Sequence, residues 1–168
     1  VSALPADGTF PTGTARWEKR GVASEVPVWD AALCIQCNKC AFVCPHAAVR
    51  TKAYPGGALE RAPAAFKSVP WRGREFPEGT RYTVQVAPED CTGCGLCVEA
   101  CPARNKGESR LKAINMAPVA PLVAAERGNF AFFERLPDAP LEAVPASSVK
   151  GSQLRTPLFE FSGACAGC

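Results

Sequence analysis

Residues 34–45 read CIQCNKCAFVCP and residues 91–102 read CTGCGLCVEACP. Each stretch is a C-x2-C-x2-C-x3-C-P run, the spacing that holds a [4Fe–4S] cluster. The three closely spaced thiolates wrap one cluster, whereas the fourth cysteine lies a helical turn later, faces away and ligates the other cluster. The sequence therefore predicts two clusters that exchange their fourth ligands.

The eight predicted ligands fall into two sets. Site 1 comprises Cys34, Cys37, Cys40 and Cys101, and site 2 comprises Cys91, Cys94, Cys97 and Cys44. A zinc site is one alternative, but zinc takes four ligands and leaves the extra cysteines of each run without a role. A disulfide framework is another, but such frameworks belong to short secreted chains, and cysteines in tight loops bridge poorly.

Composition and charge limit the remaining possibilities. The 16 prolines and 14 glycines in 168 residues are about 18%, above the average of about 12%. This favours a chain that wraps inorganic cores and neighbouring surfaces, and that gains stability from ligation. The formal charge is +3, and two clusters of about −2 each would bring the loaded domain close to neutral. Nucleic-acid binding has no support.

No apolar run reaches the length of a membrane span. The best candidate, residues 113–125, is broken by Pro118 and Pro121. The absence of a signal peptide and the thiolate-bound clusters predict a reducing, cytoplasmic location. Because the chain begins with Val1 and stops on Cys168, we expect it to be part of a longer polypeptide.

Strand patterns flank both cysteine runs. Residues 26–29 and 48–54 surround the first run, and residues 82–86 and 112–116 surround the second; the alternation in 82–86 predicts a half-buried strand. Cys91 follows Cys34 by 57 residues. The predicted fold is α+β: a ferredoxin-like two-[4Fe–4S] domain with duplicated strand–Cys loop–helix–strand halves, a long insertion and irregular Pro/Gly-rich flanking arms.

The insertion, residues 53–81, is longer than a minimal two-cluster domain needs. Its aromatic residues, Phe66, Trp71 and Phe76, are costly to leave in water, so we expect an arm packed on another domain, with a flexible surface loop as the alternative. Further along, the phenylalanines of residues 130–133 suit a short helix or a docking hook.

Three polar residues beside the predicted ligands suggest differences between the sites. Asn38 and Lys39 occupy the positions that are glycine and leucine in the second run. This predicts that the loop around site 1 is more polar and more exposed than the loop around site 2. His46 follows the fourth cysteine and is interpreted as a turn residue or, alternatively, a hydrogen-bond donor that tunes a cluster.

The order of these motifs resembles pyruvate:ferredoxin (flavodoxin) oxidoreductase. Residues 13–21, which include Glu18-Lys19-Arg20, resemble its EKR segment, and the two cysteine runs with Pro45-His46 and Pro88-Glu89-Asp90 look like its ferredoxin motifs. Residues 150–154 and 159–168 resemble the start of its thiamine-diphosphate domain. The resemblance runs through nearly the whole chain.

This resemblance implies an electron-transfer segment of a larger enzyme. The family oxidatively decarboxylates pyruvate with coenzyme A to acetyl-CoA and CO2, and passes electrons through three [4Fe–4S] clusters to ferredoxin or flavodoxin. Thiamine diphosphate, Mg2+ and coenzyme A are implied for the whole enzyme, which is expected to be a homodimer. Cys165 and Cys168 are implied to be two of the four ligands of the third cluster, and no residue here is expected to act on substrate.

The implied division has four parts: residues 1–25 form the EKR segment or linker, 26–117 the two-cluster domain, 118–157 a connecting arm, and 158–168 the start of the thiamine-diphosphate domain. Two alternatives remain: a free-standing two-cluster ferredoxin, and the ferredoxin-like subunit of a related 2-oxoacid oxidoreductase. Neither needs both the EKR segment and the final cysteine pair.

Iron content tests the role of Cys165 and Cys168. The 168-residue chain should hold about eight irons, because eight cysteines complete two clusters. A chain extended through the thiamine-diphosphate domain should hold about twelve, and should lose about four when both tail cysteines are replaced by serine. Iron and sulfide assays after anaerobic reconstitution measure this, and equal iron in both chains would contradict it.

Overall fold

The computed structural model describes residues 19–157. The strands are β1 (Glu25–Trp29), β2 (Val49–Pro55), β3 (Val69–Pro70), β4 (Thr80–Val86) and β5 (Ile114–Pro118). The helices are α1 (Lys39–Phe42), α2 (Leu96–Glu99), α3 (Val123–Arg135) and α4 (Val149–Gln153), with 3-10 turns at Gly56–Arg61 and Leu141–Ala143. The predicted mixture of helices and small sheets is confirmed.

Both sheets join the two cysteine runs. Strand β1, before the first run, pairs antiparallel with β5, after the second, with Trp29 opposite Ile114. Strand β4, before the second run, pairs antiparallel with β2, after the first, and lies at the centre of the sheet β2-β4-β3. Long-range backbone pairing thus holds the two runs beside each other.

Strand β4 is buried on both faces, so the prediction of a half-buried strand is wrong. Only Arg81 is partly exposed along Thr80–Val86. The polar members of the alternating pattern bond to one another: Gln85 Nε2 donates to Thr83 Oγ1 (2.7 Å), and Thr83 Oγ1 donates to the Lys67 carbonyl (2.7 Å). Helix α3 and the insertion supply the cover that the pattern alone did not indicate.

The aromatic residues of the insertion pack on this chain's own core. Phe66 meets Phe132 of α3 edge-on at 4.9 Å, and Trp71 lies 4.8 Å from Phe76 and 5.9 Å from Tyr82 between ring centroids. These rings therefore leave water by packing within this chain, and packing of the insertion on another domain stays a prediction. Phe66 packs on α3, a 13-residue helix that contains the phenylalanines predicted to form a short helix or a docking hook, whereas Trp71 packs on Phe76 and on Tyr82 of β4.

Within residues 19–157, no helix is long and apolar enough to cross a membrane.

Candidate iron–sulfur sites

The eight cysteines of the two runs surround two separate cavities. One cavity is lined by the four thiols of site 1, and the other by the four thiols of site 2. All eight are free thiols. The fold thus groups Cys101 with the first run and Cys44 with the second, as the predicted exchange of fourth ligands requires.

The residues that line each cavity have the donor chemistry that a cluster requires. Within residues 19–157, no three His, Cys, Asp or Glu side chains are grouped so that they could hold a single metal ion. A cluster of four irons and four sulfides instead takes thiolates at its outer corners, which fits the residues present.

The two cysteine loops bend in the same way. Gln36 and Gly93 have φ values of 59° and 71°, and Asn38 and Gly95 have values of 61° and 75°. This left-handed bend lets a backbone N–H donate to the first sulfur of each loop, from Gln36 to Cys34 Sγ (3.3 Å) and from Gly93 to Cys91 Sγ (3.4 Å). Glycine adopts the bend freely, whereas Gln36 and Asn38 are strained.

Side-chain contacts from the insertion hold the strained first loop. Gln36 Nε2 donates to the Pro70 carbonyl (2.8 Å), and Gln36 Oε1 accepts from the Arg72 N–H (2.8 Å). The Arg72 guanidinium donates to the Cys34 carbonyl (2.8 Å). The insertion therefore clamps site 1, a role that the sequence analysis missed.

Asn38 connects the first loop to the core and to α4. It is 1% exposed, its Nδ2 donates to the Lys150 carbonyl (2.9 Å), and its Oδ1 accepts from the hydroxyl of Tyr82 (2.7 Å), which is fully buried. The prediction that the loop around site 1 is more exposed is wrong, since only Lys39 of the pair is exposed. The sequence did contain a signal for these contacts: Gln36 and Asn38 are polar residues at positions that are glycine in the second loop.

Site 2 lies nearer the surface of this chain. Cys94 is exposed and Leu96 is 48% exposed. His46 is buried and lines the cavity, so it stays a candidate for tuning. Lys19 of the EKR segment forms an ion pair with Asp90, directly before Cys91.

Burial and neighbouring thiols raise the pKa values of cysteines at both sites. Burial raises the pKa of the Cys97 thiol to about 12, and Cys44 adds to the shift. Burial also raises the pKa of the Cys40 thiol, with further contributions from Cys34 of its own site and Cys97 of the other. Thiols with raised pKa values are protonated at neutral pH, so binding a metal there releases protons. The two sites are close enough to influence each other's charge.

The third cysteine pair, Cys165 and Cys168, lies outside the described residues, as does residue Glu18 of the EKR segment.

Two family models match parts of this chain, and several known proteins are similar to all of it. Residues 33–105 match the 4Fe-4S dicluster domain, and residues 1–23 match EKR, a domain of unknown function. The chain is 58% identical over 168 residues to a pyruvate-flavodoxin oxidoreductase of Nostoc, 51% to a probable pyruvate-flavodoxin oxidoreductase of Escherichia coli, and 46% to a pyruvate:ferredoxin oxidoreductase of Moorella thermoacetica. In each case all of this chain is covered.

The resemblance to the pyruvate:ferredoxin (flavodoxin) oxidoreductase family is confirmed. The chain spans 14% of the length of these relatives. The coarser fold prediction, a ferredoxin-like domain of the 4Fe-4S dicluster type, is also confirmed.

Replacing a fourth ligand tests the exchange between sites. Cys101→Ala should remove the cluster of site 1, about four of eight irons, although Cys101 lies in the second run. Cys97→Ala, four residues earlier, is the matched control and should remove the cluster of site 2. Mössbauer spectroscopy with electron paramagnetic resonance measures both, and loss of the same cluster in both variants would contradict the assignment.

Replacing Asn38 tests the link between the first loop and α4. Asn38→Gly keeps the left-handed bend but leaves the buried Tyr82 hydroxyl without its acceptor, at about 1–3 kcal/mol. Asn38→Ala adds about 1–2 kcal/mol of backbone strain. Hydrogen exchange at residues 149–153 should therefore accelerate in the glycine variant and further in the alanine variant. Gly95→Ala, where φ is 75° and the added methyl meets open space, should leave exchange in α4 unchanged.

Proposed function

We propose that this segment carries electrons through two [4Fe–4S] clusters within a longer 2-oxoacid oxidoreductase that acts on pyruvate. The observation that carries the proposal is the pair of adjoining four-thiol cavities, each completed by a cysteine from the other run. A [4Fe–4S] cluster, when bound, accepts and releases a single electron.

Two short helices place the two sites side by side. Helix α1 carries Cys40 of site 1 and is followed by Cys44 of site 2, whereas α2 carries Cys97 of site 2 and is followed by Cys101 of site 1. The backbone N–H groups of Gln36 and Gly93 point at ligand sulfurs, where they stabilise added negative charge. Such an arrangement favours transfer between sites without large motion.

The activity of the longer protein belongs to the same proposal. It would convert pyruvate and coenzyme A to acetyl-CoA and CO2, use ferredoxin or flavodoxin as electron acceptor, and act as a cytoplasmic homodimer. Thiamine diphosphate, Mg2+ and coenzyme A would bind outside residues 19–157. The names of the similar proteins, which are pyruvate-flavodoxin and pyruvate:ferredoxin oxidoreductases, support this.

The division of the chain stays part of the proposal. We assign residues 1–25 to the EKR segment, 26–117 to the two-cluster domain, 118–157 to the connecting arm and 158–168 to the start of the thiamine-diphosphate domain. The order β1, loop, α1, β2 returns as β4, loop, α2, β5, which supports duplicated halves. Cys165 and Cys168 would supply two ligands of a third cluster.

Ligand replacement in the full-length enzyme tests the electron path. Cys37→Ser at site 1 and Cys94→Ser at site 2 should each lower the steady-state rate of pyruvate-dependent flavodoxin or ferredoxin reduction by at least about tenfold, because each breaks one site. Release of CO2 in a single turnover should stay close to wild type, since decarboxylation occurs elsewhere. Stopped-flow absorbance and labelled pyruvate measure the two quantities.

Leu111→Ala, at an exposed residue (41%) that lines neither cavity, is the control and should change neither quantity. If both cysteine variants reduce the acceptor at the wild-type rate, the electron path does not run through these sites. A native protein of only this chain's size, reduced by a separate enzyme, would instead identify a free-standing two-cluster carrier.

A further inference from the structure

Trp29 contains a buried hydrogen-bond donor without a partner. It is the last residue of β1, its side chain is 4% exposed, and its Nε1 has no hydrogen-bond partner among the atoms that the structure describes. Leaving a buried donor unsatisfied costs about 1–3 kcal/mol. Such exceptions are few in folded proteins, and each calls for an explanation, for example a bound group.

The indole of Trp29 lies beside a predicted ligand. Trp29 and Cys34 line the same cavity. Burial raises the pKa of the Cys34 thiol, whereas the backbone N–H of Gln36 and the indole N–H of Trp29 lower it. The indole contact falls short of a full hydrogen bond, because Nε1 has no partner of standard geometry. Because the buried N–H and the thiols of site 1 line one cavity, a charged sulfur there is the acceptor available to the indole, and a charged acceptor makes the stronger hydrogen bond.

Site 2 has no tryptophan at the equivalent position. The two loops share the backbone bond to their first sulfur, 3.3 Å to Cys34 and 3.4 Å to Cys91. Val86 ends β4 five residues before Cys91, just as Trp29 ends β1 five residues before Cys34. Valine has no N–H in its side chain. The indole N–H thus distinguishes site 1 from site 2, where the candidate side-chain donor is His46 and follows the fourth cysteine of the first run.

We propose that the indole N–H of Trp29 donates a hydrogen bond to the thiolate of Cys34 and thereby raises the reduction potential of the cluster at site 1. The physical reason is that reduction adds negative charge, part of which resides on the ligand sulfurs, and a donor stabilises the reduced state more than the oxidised state. Hydrogen bonds to the sulfurs are among the factors that set these potentials. The proposal rests on the proposed function, because it requires a cluster at Cys34.

Trp29→Phe in the full-length enzyme tests this proposal. Phenylalanine keeps an aromatic ring against Tyr82, which Trp29 meets edge-on at 6.0 Å, but removes the N–H. Loss of one hydrogen bond of about 0.5–1.5 kcal/mol should lower the ratio of reduced to oxidised site-1 cluster by about two- to tenfold at a fixed potential. That corresponds to about 20–60 mV for one electron. The potential of site 2 should not change.

Redox titration followed by electron paramagnetic resonance measures both potentials, with the site-1 signal assigned by its loss in Cys37→Ser. Trp71→Phe is the matched control, because its N–H donates to Glu75 Oε2 (3.0 Å) and its ring does not line the cavity. Unchanged site-1 potential in Trp29→Phe, or an equal shift in Trp71→Phe, would overturn the proposal.

A second measurement uses protein with native Trp29 and covers the case in which Trp29→Phe does not fold. Indole-15N tryptophan is incorporated into Trp71→Phe enzyme, and pulsed electron–nuclear double resonance is recorded on the reduced site-1 cluster. A 15N coupling is expected, and its absence would contradict the hydrogen bond. If Cys37→Ser loses no electron paramagnetic resonance signal, there is no cluster at site 1 and the proposed function itself fails. If the site-1 cluster is present but shows no 15N coupling, only the proposed role of Trp29 fails.

Discussion

The rest of the structure depends on two four-residue helices, each of which carries a cysteine of one site and is followed by a cysteine of the other. α1 and α2 contact each other, and each lies between a cysteine of one site and a cysteine of the other. Helices this short are not stable in isolation, so the pairings β1–β5 and β2–β4 must hold them in place. Because each cavity needs both runs, neither site can form in half of the chain.

Both cysteine loops have two backbone positions with positive φ, but different residues occupy these positions. The second loop uses Gly93 and Gly95 at its left-handed positions, and the first uses Gln36 and Asn38. The strain of the first loop is offset by hydrogen bonds between Gln36 and the insertion, and between Asn38 and both Tyr82 and α4. The insertion and the connecting arm thus act as the frame of site 1, while the second loop stays nearer the surface.

The sequence predicted the cysteine sites and the strands well, because cysteine spacing and runs of apolar residues are strong local signals. The cysteine spacing predicted two sets, and the apolar strands before and after each run were located to within about two residues. The insertion and strand β4 were predicted less well. Alternation in residues 82–86 indicated one solvent-exposed face, and three aromatic residues indicated a neighbouring domain. In the structure, α3 packs on β4 and on Phe66, and Tyr82 of β4 packs on Trp71.

The sequence by itself predicted the two sets of four cysteines and the family resemblance, because metal-ligand spacing and motif order are local properties of the chain. Only the tertiary structure decided which neighbours surround each site. The contacts of Gln36 with residues 70–72 and of Asn38 with Lys150, and the position of Trp29 in the same cavity as Cys34, depend on how distant segments pack. Hydrogen bonding and burial act over a few ångströms in space, and linear order does not specify which residues share that space.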